Sequence, residues 1–292
     1  VRVAVTGASG LLGRAVMHHA PGYSLQPVAF SRSDDGSCGT VFWDADMPWT
    51  ASARLLDGFD AVIHAAAYIP TEPANPDIAA KCLAVNAIGT LSLLRAAREA
   101  GVRRFVFVSG ANTLSPKGSE ITEDEPLGCL YSPYYLGSKA IGELYVRAAI
   151  SSGTNALIVR PSSIYGPGMT KGMFVAFADA LRAGRRLTVL NGGCFRADYV
   201  WRDDVAAVLC AAVLSAHTGT VNLGSGVRHS SLEVAGLVAD AVGADRQLIE
   251  VEGDATPTGF SAVDISRARD WFRFEPVPLA VGLSRWFGDA AS

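Results

Sequence analysis

Apolar residues fall along the N-terminal half of the chain in short dense runs separated by stretches with helical spacing. Val1–Thr6, Leu25–Phe30, Thr40–Trp43, Asp60–His64, Arg104–Val108 and Asn155–Arg160 read as strands. Between them Leu11–His19, Ile78–Ala100 and Ser132–Ser151 carry helix patterns, the second stopping at Gly101, a natural helix C-terminus. Several strand runs are nearly continuous in apolar residues instead of alternating. A strand needs that only when both faces are covered, so the pattern predicts a parallel sheet with helices on both sides, a doubly wound α/β fold.

After Pro161 the rhythm changes. Gly166-Pro167-Gly168 and Gly192-Gly193 interrupt the chain, and helix patterns return at Phe174–Ala183, Asp204–Ala216, Ser231–Val242 and Ser266–Phe272. We expect residues 1–162 to form the main α/β unit and residues 163–292 a smaller mixed α/β lobe over one sheet edge. Segments around 199–225, Val221–Leu223 among them, are expected to return to the main sheet. No repeat or low-complexity tract breaks the chain.

Composition narrows the function classes. The 292 residues are 49% hydrophobic and 18% charged, with a formal net charge of −3. No basic run could track nucleic-acid phosphates. Mean hydropathy is high at +0.24. Even so, no 18-residue apolar run lacks a charge or breaker, which argues against a membrane span. A strand pattern begins at once, with no signal-peptide pattern ahead of it. The five cysteines, Cys38, Cys82, Cys129, Cys194 and Cys210, lack C-x-x-C spacing. They read as reduced thiols of a cytoplasmic protein, a catalytic thiol or zinc site being the alternative; no ligand spacing supports a metal.

Candidate chemistry starts at Thr6-Gly7-Ala8-Ser9-Gly10-Leu11-Leu12-Gly13, a G-x-x-G-x-x-G loop between a strand and a helix. Gly7 permits a tight turn, Gly10 lets backbone approach a phosphate, and Gly13 lets helix pack on strand. The helix N-terminus offers N–H groups and a positive dipole end to a pyrophosphate, as in a Rossmann-type dinucleotide site. At the end of the second strand, an acidic residue would bond the ribose 2′-OH of NAD. Ser31-Arg32 stands there instead, and a guanidinium suits the 2′-phosphate of NADP. The alternative is a solvated Arg32, with Asp34 or Asp35 serving NAD. Asp44, followed by Ala45, is placed to accept from the adenine amino group or is a plain loop aspartate. Ala65, Ala66 and Ala67, small residues after the fourth strand, let backbone lie close to a cofactor.

Tyr135 and Lys139 are spaced i, i+4, which puts both on one helix face. A nearby ammonium is expected to lower the phenol pKa toward working pH, so that tyrosine exchanges a proton with a carbonyl or alcohol as hydride moves. With these motifs the chain resembles the extended short-chain dehydrogenase/reductases of the NAD(P)-dependent epimerase/dehydratase, nucleotide-sugar epimerase-like, type. The likeness runs over nearly the whole chain. Beyond the glycine loop, Asp44, His64-Ala-Ala-Ala67, Tyr135 and Lys139, it includes Val85-Asn86-Ala-Ile-Gly89-Thr90 and Arg160-Pro161 through Tyr165-Gly166-Pro167-Gly168. Further along it includes Arg196-Ala-Asp198-Tyr199-Val200, Asn222-Leu-Gly224-Ser-Gly226 and Asp264-Ile-Ser-Arg-Ala268. The resemblance implies that Asn86 props the active-site strand, that Pro161 and Ile164 flank the nicotinamide, and that the enzyme is often a homodimer through the two long helices.

One departure stands out. Where the family carries a Ser or Thr beside the tyrosine, this chain has Gly110, in Val108-Ser109-Gly110-Ala111-Asn112-Thr113. Ser109, Asn112 or Thr113 could supply the missing hydrogen bond, or a water could, or redox catalysis could be lost. The acidic pair of sugar 4,6-dehydratases is absent at Ala111-Asn112, which argues against dehydration. The expected function is therefore an NADP-preferring ketoreductase acting on a keto-sugar or other small carbonyl, with Tyr135 as acid. The alternatives are an NAD-dependent nucleotide-sugar epimerase and a non-catalytic NADP-sensing regulator. Tyr68, Asn112, Thr113, Ser163 and Arg196 are candidates to line the substrate. Arg196 either pairs with a nucleotide-sugar phosphate or forms a surface ion pair.

Overall fold

The fold is seen in a computed structural model that describes residues 1–31, 41–45, 51–72, 75–114, 120–128 and 132–288. Seven strands form the main sheet in the order Gly219–Leu223, Ala156–Pro161, Arg104–Val108, Ala61–His64, Arg2–Thr6, Gln26–Ser31 and Val41–Phe42. Every pairing is parallel. The dense apolar runs have the expected cause. Val3, Val5, Ile63, Val106, Val108, Leu157 and Val159 point to one face, where Leu12, Val16, Val205, Leu209 and Ala268 cover them. Ala4, Val62, Phe105, Phe107 and Ile158 point to the other, under Val85, Leu93 and Val146.

The strand order reverses at Arg2–Thr6. Its neighbours, Gln26–Ser31 and Ala61–His64, belong to opposite halves of the winding. The C-terminal ends of strands at such a switch point diverge into a crevice, where ligands bind in open α/β sheets. Gly7 and Ala65 open directly onto it.

The long helix predicted over 78–100 is not uniform. A 3₁₀ turn, Pro76–Ile78, leads into α-helix Ala79–Cys82, a π-helical segment Leu83–Ile88 and α-helix Gly89–Glu99. The wide turn falls where the neighbouring helix Pro133–Ser151 comes closest: a Cβ added at Gly142 would stand 2.7 Å from the Asn86 carbonyl oxygen. Length and composition alone would let Pro76–Glu99 cross a membrane. In the fold, Cys82, Val85, Asn86, Ala87 and Leu93 of that segment are buried.

Beyond Pro161 the structure adds strands that the sequence pattern did not reveal. Phe195–Trp201 pairs with Arg228–Ser230 antiparallel, and with Ser163–Tyr165 and Thr258–Gly259 in parallel. Tyr165, Phe174, Leu181, Tyr199, Trp201, Val234 and Leu283 form a separate core around it. Helix Ser266–Phe272, read from sequence as part of the lobe, instead contributes Ala268 to the core beneath the main sheet. Buried Asp198 ties the two parts together. Its carboxylate accepts from Ser225 N (2.7 Å), Gly226 N (3.0 Å), Val263 N (3.1 Å) and the Ser162 hydroxyl (3.3 Å).

Candidate active site

The glycine loop is built by close contact. Gly7 has φ +69°, and a Cβ there would lie 2.8 Å from Ala66 N and Cα. A Cβ at Gly13 would lie 2.0 Å from Gly7 O, so the helix Leu11–His19 sits directly on the turn. Gly10 is the N-cap and has no side chain with which to cap the first helical turn. Exposed Ser9 and Gly10 and half-buried Leu11 therefore present an uncovered helix N-terminus beside Ala65, Ala66 and Ala67, themselves half-buried. Leu12 is buried and belongs to the core under the sheet.

At the sheet's far edge Ser31 is half-buried and pairs in register with Phe42; Arg32 lies outside the described residues. Asp44 is half-buried. Ala45 is buried against Gly89, where an added Cβ would be 3.3 Å from Ala45 O.

Asn86, fully buried in the π segment, clamps the turn after the fourth strand. Its Oδ1 accepts from Tyr68 N (2.8 Å), and its Nδ2 donates to Tyr68 O (3.0 Å) and to Ser138 Oγ (3.0 Å). Ser138 in turn donates to Tyr135 O at 2.7 Å. Asn86 thus fixes both the half-buried Tyr68, over whose ring Lys81 Nζ lies at 4.8 Å, and the first turn of the helix that carries Tyr135.

Tyr135 is half-buried and Lys139 buried on that helix. Lys139 Nζ donates to Val108 O at 2.6 Å and lies 4.3 Å over the Phe107 ring. Burial drives the ammonium pKa down to about 7, while the Glu143 charge pulls it back up. The tyrosine departs from expectation. Burial, with the Cys82 thiol adding to it, pushes the phenol up to about 12. Lys139, itself lowered by burial, does not offset that shift; its Nζ donates to the Val108 carbonyl.

Two sequence candidates are buried. Ser109 lies close enough to the Glu143 carboxylate to help hold it ionised, yet its hydroxyl makes no hydrogen bond among the described residues. Thr113 is fully buried, and its hydroxyl donates to Gly110 O at 2.8 Å. Asn112 between them is half-buried and makes no side-chain hydrogen bond among the described residues. Gly110 itself is extended at φ −164° and ψ 139°, and a Cβ there would meet nothing nearer than Pro161 O at 4.0 Å. Pro161 is buried; Ser163 and Ile164 are half-buried on the strand that follows. Arg196 is exposed, and its guanidinium lies 3.5 Å from the Glu233 carboxylate.

Sequence reading missed the group behind the lysine. Glu143 and Arg160 are both fully buried and form a bidentate pair, Nε to Oε2 at 2.9 Å and Nη2 to Oε1. Burial raises the Glu143 carboxyl, but the Arg160 hydrogen bond and charge, with Arg147 and Ser109, hold it below its ordinary range. A signal was present: Glu143 follows Lys139 by four residues and so shares its helix face.

Comparison with known proteins agrees with this architecture. The profile of the NAD dependent epimerase/dehydratase family matches residues 3–224. The chain is 30% identical to a UDP-glucose 4-epimerase of Mycolicibacterium smegmatis, covering 98% of this chain and 97% of that one. It is 34% identical to a dTDP-glucose 4,6-dehydratase of Streptomyces griseus, over 96% and 91%. Other relatives are named as reductases. In fold it matches the dTDP-glucose 4,6-dehydratase DesIV of Streptomyces venezuelae, with a TM-score of 0.83 at 24% identity over 99% and 96% of the two chains. With its parallel sheet, glycine loop and family match together, this chain is an enzyme that belongs to the NAD dependent epimerase/dehydratase family.

Proposed function

We propose that the enzyme is an NADP-preferring oxidoreductase that reduces a ketone, either a keto-sugar or another small carbonyl, with Tyr135 as general acid. The carrying observation is the placement of half-buried Tyr135 and buried Lys139 one turn apart on a helix whose first turn Asn86 and Ser138 hold. Burial keeps the phenol in its protonated form, the form that gives a proton to a carbonyl.

The residues fit a dinucleotide. The cradle at Gly7, Gly10 and Gly13 is one that side chains would fill, and the uncapped helix start suits a pyrophosphate. Ser9, Leu11 and Leu12 would bind there through backbone, Ser31 and Arg32 at the adenosine ribose, Asp44 and Ala45 at the adenine. Ala65, Ala66, Ala67, Asn86, Pro161 and Ile164 would frame the nicotinamide. When bound, the reduced cofactor supplies the hydride that reaches the carbonyl carbon. The chain supplies the proton, from Tyr135 Oη to the carbonyl oxygen, and Lys139 offers the charge that stabilises the resulting phenolate. Ser109, whose hydroxyl has no partner among the described residues, or Asn112 donates to the same oxygen, since Thr113 donates to Gly110 O and Gly110 has no side chain. Tyr68 and Ser163 line the substrate.

The test is NADPH oxidation by the purified chain against a panel of keto-sugars and small ketones. Tyr135→Phe is expected to reduce turnover by at least about 100-fold. Substrate isomerisation without net cofactor use would instead favour the second reading, an NAD-dependent nucleotide-sugar epimerase. That reading has its own support in the 30% identity to a UDP-glucose 4-epimerase along nearly the whole chain. Tyr135→Phe with unchanged biological function would point to a cofactor-sensing regulator.

The enzyme works as a homodimer in the cytoplasm. A groove of about 560 Å³ runs between the two long helices, lined by Ile88, Leu91, Arg95, Tyr145 and Ala148. Ile88 and Leu91 are exposed there at 41% and 42%, an apolar face that suits a second copy. Cys82, Cys194 and Cys210 are free thiols, in keeping with a reducing compartment. Light scattering of wild type and Leu91→Glu checks the dimer, with a monomeric variant the expected result.

A further inference from the structure

A buried histidine that the proposed chemistry does not use lies between the two halves of the site. His64 is fully buried at the end of its strand, ringed by Trp43, Phe105 and Phe107 at 6.0, 6.1 and 5.6 Å between centroids. Its Nδ1 lies 2.7 Å from Thr6 Oγ1 and its Nε2 lies 3.0 Å from Thr90 Oγ1.

The ends of this chain of bonds fix its direction. Ala66 N can only donate, and it donates to Thr6 Oγ1 at 3.2 Å. Asn86 O can only accept, and it receives the Thr90 hydroxyl at 2.7 Å. A threonine hydroxyl has one proton. Thr90 has spent its proton on Asn86 O, so it accepts from His64, and Nε2 carries the hydrogen. Nδ1 then accepts the Thr6 proton. The sequence Ala66 N–H, Thr6 O–H, His64 Nδ1, then His64 Nε2–H, Thr90 O–H, Asn86 O satisfies every member in one tautomer only. A protonated ring would take away the Nδ1 acceptor of the Thr6 proton. In agreement, burial first and the Lys139 charge second drive the imidazole pKa down to about 3.

We propose that His64 is a positioning residue that locks the dinucleotide-cradling turn to the catalytic helix. One end of its chain is Thr6, which precedes Gly7, together with Ala66, against which Gly7 packs. The other end is Asn86, which holds Tyr68 and, through Ser138, the Tyr135 turn. This assignment rests on the reading of Gly7–Gly13 as the dinucleotide cradle.

The consequence is coupling across His64. In NADPH fluorescence titrations of the full chain, Thr90→Val is expected to weaken binding about five- to tenfold, although Thr90 belongs to the helix beyond the histidine. Thr6→Val should do the same, and the double variant should be no worse than either single one. Thr90→Ser, which keeps the hydroxyl, should restore wild-type affinity. Unchanged affinity in Thr90→Val, or fully additive losses, would overturn the coupling. Imidazole ¹⁵N NMR decides the tautomer without any cofactor: Nε2–H on His64 supports the chain, and Nδ1–H refutes it. If the wild type bound neither NADPH nor NADH, the cradle reading would fail while the tautomer still judged the relay.

Discussion

The Thr113 hydroxyl donates to the Gly110 carbonyl oxygen at 2.8 Å, closing a 3₁₀ turn over Ala111–Thr113. That bond commits the Thr113 hydroxyl and leaves the side chains of Ser109 and Asn112 without a hydrogen-bond partner among the described residues. With Asn112 as the donor, Asn112→Ala should lower kcat by roughly 100-fold with little change in thermal stability, in line with loss of one oxyanion donor. Gly110→Ser meets open space in an extended conformation and should recover about tenfold or more of that loss. Steady-state kinetics of the two variants and their combination decide the point. An Asn112→Ala enzyme with unaltered kcat would dismiss the role of the amide.

Lys139 predicts a pH dependence of stability. Its folded pKa of about 7 lies below the ordinary 10.5. Between those values the unfolded chain holds a proton that the folded chain has released, so stability rises with pH through that window. Lys139→Met removes the titration. Melting curves without cofactor should show a larger gain in Tm from about pH 6.5 to about pH 9 for wild type than for the variant. Parallel pH profiles of the two proteins would count against a buried ammonium.

Glu143 and Arg160 have no solvent contact through their side chains. Glu143→Gln leaves a buried guanidinium without its counter-charge and should cost about 3–5 kcal/mol, whereas a Glu143→Leu/Arg160→Met pair should cost much less. Denaturant titration separates the two. Because the Glu143 carboxyl is held below its ordinary value of 4.5, its contribution is present above that pH and lost as pH falls through the folded value.

The glycines of the loop should differ in tolerance. A Cβ at Gly13 would lie 2.0 Å from Gly7 O, but one at Gly10 would lie 3.1 Å from the same atom. Gly13→Ala should abolish measurable NADPH binding or weaken it by about 100-fold, while Gly10→Ala should weaken it only severalfold. Calorimetric titration provides the ranking, and equal losses would contradict the packing account.

The parts legible from sequence were the local ones. The glycine loop, the Tyr135–Lys139 spacing and the doubly apolar strands each follow from a run of adjacent residues and a fixed period. Helices Leu11–His19 and Ser231–Val242 lie where their patterns put them. What escaped depends on contacts between distant residues. The burial of Ser109 beside Glu143 is set by a helix far along the chain, not by its own neighbours in sequence. Arg196 finds Glu233 only because a lobe strand brings them together. Lobe strands such as Ser163–Tyr165 and Arg228–Ser230 span three residues each, too few to display an alternation. The π turn at Leu83–Ile88 answers to a glycine on another helix.

That glycine carries a consequence for how the enzyme can vary. A Cβ at position 142 would press on Asn86 O at 2.7 Å, on the Thr90 hydroxyl at 3.3 Å and on the Phe107 ring at 3.4 Å. In a saturation library Gly142 should score as intolerant as Tyr135, although it has no side chain to offer a ligand. Mutational sensitivity at this position would measure the spacing of two helices, and an assay of activity alone would mistake a spacer for a participant.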